Sequence, residues 1–156
     1  MILNKQVEEY KKKHVVELYL QHPDEITRDF INENEMRDDY EGREVLELLQ
    51  NAVDQVEVGG KIHIGLVNDI LTVANTGEPF NFDGVKSLMK SNLSPKRLNK
   101  NMIGQKGLGF RSLLNWSNDI SIYSNNLSIR FSESYRKSFF EDVRIFESTA
   151  LLVAPE

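Results

Sequence analysis

The chain of 156 residues contains no cysteine and no long run of apolar residues. The first absence excludes a disulfide framework, a thiol nucleophile and a zinc site built on cysteine. The second leaves no candidate for a membrane-spanning helix or an apolar signal segment, so we expect a cytoplasmic protein with no membrane partner. The only three histidines, His14, His22 and His63, are scattered, which disfavours a histidine-based metal site.

Basic residues are fewer than acidic residues, so the formal net charge is −5. This balance disfavours direct binding of nucleic acid by this domain. Two local basic groups stand out. Lys11–Lys13 is expected on the solvated surface of a helix, whereas Lys96, Arg97 and Lys100 fall in an irregular polar stretch that suits a loop ordered by a ligand.

The N-terminal part of the chain has a helical pattern. Apolar residues in Asn4–Leu20 recur at helical spacing, and Pro23 suits the first turn of a second helix. The length fits one domain with a proper core. We expect residues 1–38 to form a helical segment packed on that core and residues 39–156 to form the main domain of a longer protein.

Residues 44–57 have the pattern of an amphipathic helix. Glu47, Asn51 and Asp54 follow at i, i+4 and i+7, so they line up on one face. Such a face is often plain solvated surface. It also suits a catalytic site, because an Asn oxygen can bind Mg²⁺ beside phosphate oxygens and a Glu one turn away can deprotonate water. The expected buried stripe consists of Val45, Leu48, Leu49, Ala52, Val53 and Val56.

Two alternating, β-branched segments follow the helix. Lys61–Val67 and Ile70–Ala74 predict a hairpin, with Asn68 and Asp69 as its turn. Asn75-Thr76-Gly77 ends the second strand. Gly77 fits either an ordinary turn with positive φ or a close approach of the backbone to a ligand.

A glycine-rich segment, Gly104–Gly109, precedes a predicted short helix at Phe110–Trp116. Glycines before a helix let backbone N–H groups approach phosphate oxygens. The spacing is neither the dinucleotide fingerprint nor the P-loop. A flexible loop remains the alternative, and Lys106 is either a phosphate ligand or a solvent-exposed lysine.

The last part of the chain predicts further strands. Asp119–Ser124 and Leu127–Ser132 form a second predicted hairpin around Asn125-Asn126. Val143–Phe146 and Ser148–Val153 are further strand candidates.

Together these motifs resemble the ATPase superfamily of DNA gyrase, the ninety-kilodalton heat-shock chaperones, sensor histidine kinases and MutL, which share the Bergerat fold. Three stretches, Asp39–Arg43, Asn75–Phe80 and Lys106–Trp116, make the chain most similar to sacsin-type N-terminal ATP-binding domains of large bacterial proteins. The resemblance runs from about residue 43 to residue 131. It implies an α/β two-layer sandwich, with a mixed β-sheet, helices on one face, and extra N-terminal helices here. Its most specific segments are Glu47-Leu-Leu-Gln-Asn51-Ala-Val-Asp54 and Ile103-Gly-Gln-Lys-Gly-Leu-Gly-Phe110.

The resemblance implies a role for each matching residue. Glu47 matches the general base that activates water against the γ-phosphate of ATP, and Asn51 matches the Mg²⁺ ligand. Leu88–Asn101 match the mobile lid over the nucleotide. The expected nucleotide-binding set is Asn51, Asp54, Asn75, Gly77, Gly104, Lys106, Gly107, Leu108, Gly109 and Phe110.

Three positions depart from the family pattern. Asn75 stands where the family has Asp, and its oxygen can accept the adenine hydrogen bond without a charge. Pro79 replaces a second glycine and restricts the backbone there. Thr149 is in position for the Thr that supports the adenine-binding acid, but no surrounding motif supports the match.

The function implied is a Mg²⁺-dependent ATPase whose slow hydrolysis drives a conformational change in a chaperone-like, phage-defence or DNA-processing protein. Its implied partners are ATP and ADP, the remaining domains of a longer chain, and a second copy in an ATP-linked homodimer. Three alternatives stay open: a nucleotide-binding switch without hydrolysis, a histidine-kinase catalytic domain, and an interaction module on a degenerate fold.

Overall fold

The chain has a mixed α/β structure, which a computed structural model describes for residues 2–90, 109–125 and 127–156. None of the described helices combines the length and the apolar character needed to cross a membrane. The elements in chain order are α1 (Ile2–Tyr10), a π-helical stretch (Lys11–Val16), α2 (Glu17–Gln21), α3 (Asp24–Asp39), α4 (Glu44–Gln55), β1 (Ile62–Val67), β2 (Ile70–Asn75), α5 (Phe82–Met89), a 3-10 helix (Gly109–Asn115), β3 (Asp119–Ser124), β4 (Leu127–Ser132) and α6 (Glu133–Asp142).

Both predicted hairpins are confirmed. In the described part of the chain, β1 pairs with β2 and β3 pairs with β4, as two separate antiparallel sheets. Asn68 and Asp69 join the first pair with φ values of 49° and 63°. Asn and Asp tolerate this left-handed conformation, which two-residue hairpin turns require.

The hydrophobic core lies between the N-terminal helices, α5, β4, α6 and the C-terminal segment. The predicted helices over Asn4–Leu20 and after Pro23 are therefore confirmed and contribute directly to this core. Within α3, Ile26 and Met36 are buried, whereas Ile31 is about half exposed. The most buried core residues include Val7, Tyr19, Val85, Phe131, Phe140, Leu152 and Ala154.

Lys11 contradicts the expected solvated surface for Lys11–Lys13. Lys12 and Lys13 are exposed, but the Lys11 side chain is completely buried. Its ammonium group donates to the Tyr135 hydroxyl and the Pro155 carbonyl oxygen, both at 2.6 Å, and pairs with Glu8 at 2.7 Å. Burial of a charge requires such partners. Tyr135 and Pro155 are far away in sequence, so helical spacing did not indicate them.

The predicted strands Val143–Phe146 and Ser148–Val153 were wrong. The first segment turns back at the end of α6, where the Ile145 N–H donates to the Phe140 carbonyl at 2.7 Å. In the second, the N–H groups of Leu151 and Leu152 donate to the two carboxylate oxygens of Glu33, at 2.6 and 2.9 Å. A buried side chain thus takes the hydrogen bonds that a neighbouring strand would otherwise accept.

Candidate functional site

The helix α4 begins with a buried carboxylate. Glu44 accepts hydrogen bonds from the Gly42 N–H at 3.0 Å and the Asn115 side-chain amide at 3.2 Å. Hydrogen bonds from backbone N–H groups hold the pKa of Glu44 below its usual range, and the bond from its own N–H contributes most. Desolvation acts in the opposite direction. These contacts attach the first turn of α4 to the 3-10 helix.

The predicted burial of α4 was only partly correct. Ala52 is buried, but Val45 and Val53 are 47% and 57% exposed. The reason is that α4 packs against the 3-10 helix and β2, which cover only part of the predicted apolar stripe. Amphipathic spacing gave the correct helix, but the neighbouring elements determine which residues are covered.

The three polar residues of α4 differ in their exposure. The Glu47 side chain is only 13% exposed, Asn51 is partly buried and Asp54 is exposed. Glu47 therefore points toward protein rather than toward open solvent. Glu47 thus differs from a residue of an ordinary solvated helix face, whereas the exposure of Asp54 agrees with that alternative interpretation.

The Glu47 carboxylate lies between Arg43 and Gly109. Its Oε1 atom is 3.0 Å from a terminal nitrogen of Arg43. A Cβ atom at Gly109 would lie 1.8 Å from Oε2 and 2.4 Å from Cδ of Glu47. A larger residue at position 109 would have to displace the Glu47 carboxylate from this position. The end of the glycine-rich segment and the proposed base are thus in direct contact.

Gly77 makes a similar close approach at the other end of α4. Its φ is 134°, and a Cβ atom there would lie 1.9 Å from the Gln55 carbonyl oxygen. Both the conformation and the space require glycine. Next to it, Asn75 is exposed and its amide nitrogen donates to the Thr76 carbonyl at 3.2 Å.

The two glycine contacts bring the described parts of all three sequence motifs to one helix. From Glu47 to Gln55, α4 rises by about 12 Å, at about 1.5 Å per residue. Asn51 lies halfway between these contacts, and Asp54 lies next to the Gly77 end.

Several predicted site residues lie outside the described part of the chain: Gly104, Lys106, Gly107 and Leu108. The same applies to residues 91–101 of the predicted lid, whereas Leu88 and Met89 end α5 with buried side chains. Phe110 is described, and its ring packs against the hydrophobic core. Its position therefore anchors the start of the 3-10 helix.

The donor set on α4 suits magnesium better than zinc. In residues 2–90, 109–125 and 127–156, no group of three or more histidine, aspartate or glutamate side chains could hold a metal ion. Phosphate and water oxygens could complete the coordination of a metal at Asn51. Mg²⁺ accepts such coordination, since it prefers oxygen ligands and retains several waters.

The sequence patterns did not identify two charged residues near the candidate site, Arg43 and Arg111. Arg43 lies one helical turn before Glu47, a spacing that could have indicated the ion pair. Arg111 is completely buried beside the glycine-rich segment, and it donates to the carbonyl oxygens of Leu88 and Lys90, both at 2.8 Å. Burial lowers the pKa of Arg111, opposed by the charges of Glu33 and Asp29. No local sequence pattern predicted that Arg111 would be buried and would donate to these two carbonyl oxygens.

Replacing Gly77 with alanine is expected to destabilise the chain more than the same change at Gly59. Gly59 also has a positive φ, 80°, but no atom lies within 4 Å of its added Cβ. Gly59→Ala therefore measures the conformational cost alone, about 1–2 kcal/mol. Gly77→Ala adds about 1–3 kcal/mol for the overlap with Gln55. Urea unfolding of both variants measures the difference, and equal losses would contradict the close approach.

Comparison with known proteins adds no assignment, because no family model, curated protein or solved structure matches this chain significantly.

Proposed function

We propose that this chain is an ATP-binding domain of the Bergerat type and a Mg²⁺-dependent ATPase that drives a conformational change in a larger protein. In this proposal the helices form one layer of that fold and the two antiparallel hairpins belong to the other. The observation that carries the proposal is the pair of contacts on α4, where Gly109 meets Glu47 and Gly77 meets Gln55. The three motifs are distant in sequence, and their contact on one helix is what a shared nucleotide site requires.

Each residue of the proposed site has a chemical task. Glu47 accepts a proton from the water that attacks the γ-phosphorus, while the bond to the ADP oxygen breaks. Asn51 would supply an oxygen ligand to Mg²⁺, and the ion would neutralise phosphate charge when bound. Asp54, Asn75 and Gly77 line the adenosine end of the nucleotide. The family resemblance assigns the phosphates to Gly104, Lys106, Gly107, Leu108 and Gly109, of which Gly109 lies in the described part of the chain.

One observation favours a second candidate, a nucleotide-binding switch that does not hydrolyse ATP. The Glu47 carboxylate is engaged on both sides, by Arg43 at one oxygen and by Gly109 at the other. A carboxylate held in this way is less accessible to an attacking water. The switch predicts ATP binding with no turnover that depends on Glu47.

The proposed site is tested by calorimetric titration with ADP and a non-hydrolysable ATP analogue, with and without Mg²⁺. We expect Mg²⁺-dependent binding by the wild type. Asn51→Ala should weaken it by about 10–100-fold, because a bond to a charged group contributes about 1.5–3 kcal/mol. Gln50→Ala is the control, since it removes an exposed amide from the same helix. Absence of nucleotide binding by the wild type would contradict the proposal.

A further inference from the structure

The ion pair of Arg43 and Glu47 combines an accessible cation with a shielded carboxylate. The Arg43 side chain is 52% exposed, while that of Glu47 is 13% exposed. The guanidinium also lies over the Tyr40 ring, 5.1 Å from its centre. Arg43 is thus supported on one side by an aromatic face and remains open to solvent on the other. A ligand can reach it without disturbing the core.

A guanidinium binds phosphate by the same geometry with which it binds a carboxylate. Its N–H groups form a planar fork that matches both anions. Arg43 pairs with Glu47 at the Oε1 atom. The other oxygen, Oε2, lies against Gly109. The Oε1 atom is therefore the one that becomes available for a water if Arg43 moves away.

We propose that Arg43 is a nucleotide-sensing residue that pairs with Glu47 in the absence of a triphosphate and binds the γ-phosphoryl oxygens when one is present. The inference rests on the proposed function. The γ-phosphate has the higher charge and draws the guanidinium from the carboxylate, so the substrate itself releases Oε1 of Glu47. ADP lacks this group and leaves the ion pair in place. Glu47 is therefore paired with Arg43 before a triphosphate binds, and it acts as the base for hydrolysis after Arg43 has moved to the γ-phosphate.

The inference predicts that Arg43 distinguishes triphosphate from diphosphate. With Mg²⁺ present, Arg43→Gln should lower the affinity for a non-hydrolysable ATP analogue by about 10–100-fold, the effect of losing a bond to a charged group. Its affinity for ADP should stay within about twofold of the wild-type value, and Arg43→Lys should restore part of the difference. The readout is the ratio of the two affinities by calorimetry, which a purely structural role would not change.

The matched control is Arg28→Gln. Arg28 pairs with Glu25 one helical turn away, and the exposures of the two side chains, 57% and 17%, are close to those of Arg43 and Glu47. This variant should leave both affinities unchanged. Equal loss for both nucleotides in Arg43→Gln, or no loss for either, would overturn the inference while the proposed function stands. A wild-type chain that binds neither nucleotide would overturn both.

Discussion

Replacing Glu33 with alanine is expected to lower the free energy of unfolding by about 2–6 kcal/mol, because it removes a buried carboxyl group that accepts two backbone hydrogen bonds. Glu33 is 6% exposed and accepts the N–H groups of Leu151 and Leu152. Alanine leaves both donors buried without an acceptor, at a cost of about 1–3 kcal/mol each. An ordinary domain has only about 5–15 kcal/mol of stability, so a large part of it would be lost.

Urea unfolding monitored by circular dichroism measures this effect. The control is Glu35→Ala, which removes an exposed carboxylate from the same helix. It should change the free energy of unfolding by less than about 0.5 kcal/mol. Similar values for the two variants would mean that the C-terminal segment does not depend on Glu33.

The stability that Glu33 provides should also depend on pH. Burial raises the pKa of Glu33, because desolvation outweighs the N–H groups of Leu152 and Leu151 and the charge of Arg111. A raised pKa in the folded state gives stability that is complete below the unfolded pKa of about 4.3 and is lost as the pH rises through the folded value. The advantage of the wild type over Glu33→Gln, which cannot ionise, should therefore shrink as the pH rises. An advantage that grows with pH would contradict this direction.

Replacing Glu47 with glutamine is expected to reduce ATP turnover by about 10²–10⁴-fold, the usual contribution of a general base. Glutamine has nearly the same size but cannot take a proton from water. It still offers an oxygen to Arg43 and fits beside Gly109. Affinity for the Mg²⁺ complex of an ATP analogue should therefore stay within a few-fold of the wild type. Phosphate release under saturating ATP measures the turnover, and calorimetry measures the affinity.

Glu57→Gln provides the control for Glu47→Gln. Glu57 is exposed just beyond the end of α4, so its loss should leave turnover unchanged. Turnover that survives in Glu47→Gln would place the base at another residue. Nucleotide binding by the wild type with no turnover would instead favour the switch.

The sequence alone determined several of the local elements of this protein. Alternating β-branched residues around Asn68 and Asp69 predict the β1–β2 hairpin, and helical spacing predicts α4 and the N-terminal helices. These predictions succeed because hydrogen bonds within a helix or a hairpin join residues that are near each other in the chain. The polar trio on α4 was found in the same way, since its spacing is a property of the helix itself.

Only the tertiary structure decided which residues are buried and what they contact. Lys11 is buried because Pro155 supplies an acceptor from 144 residues away, and the last segment avoids a strand because Glu33, 118 residues before Leu151, takes its hydrogen bonds. The contact of Gly109 with Glu47 has the same origin. Burial of a polar group is favourable only when its partners are in place, and packing of distant elements brings those partners together.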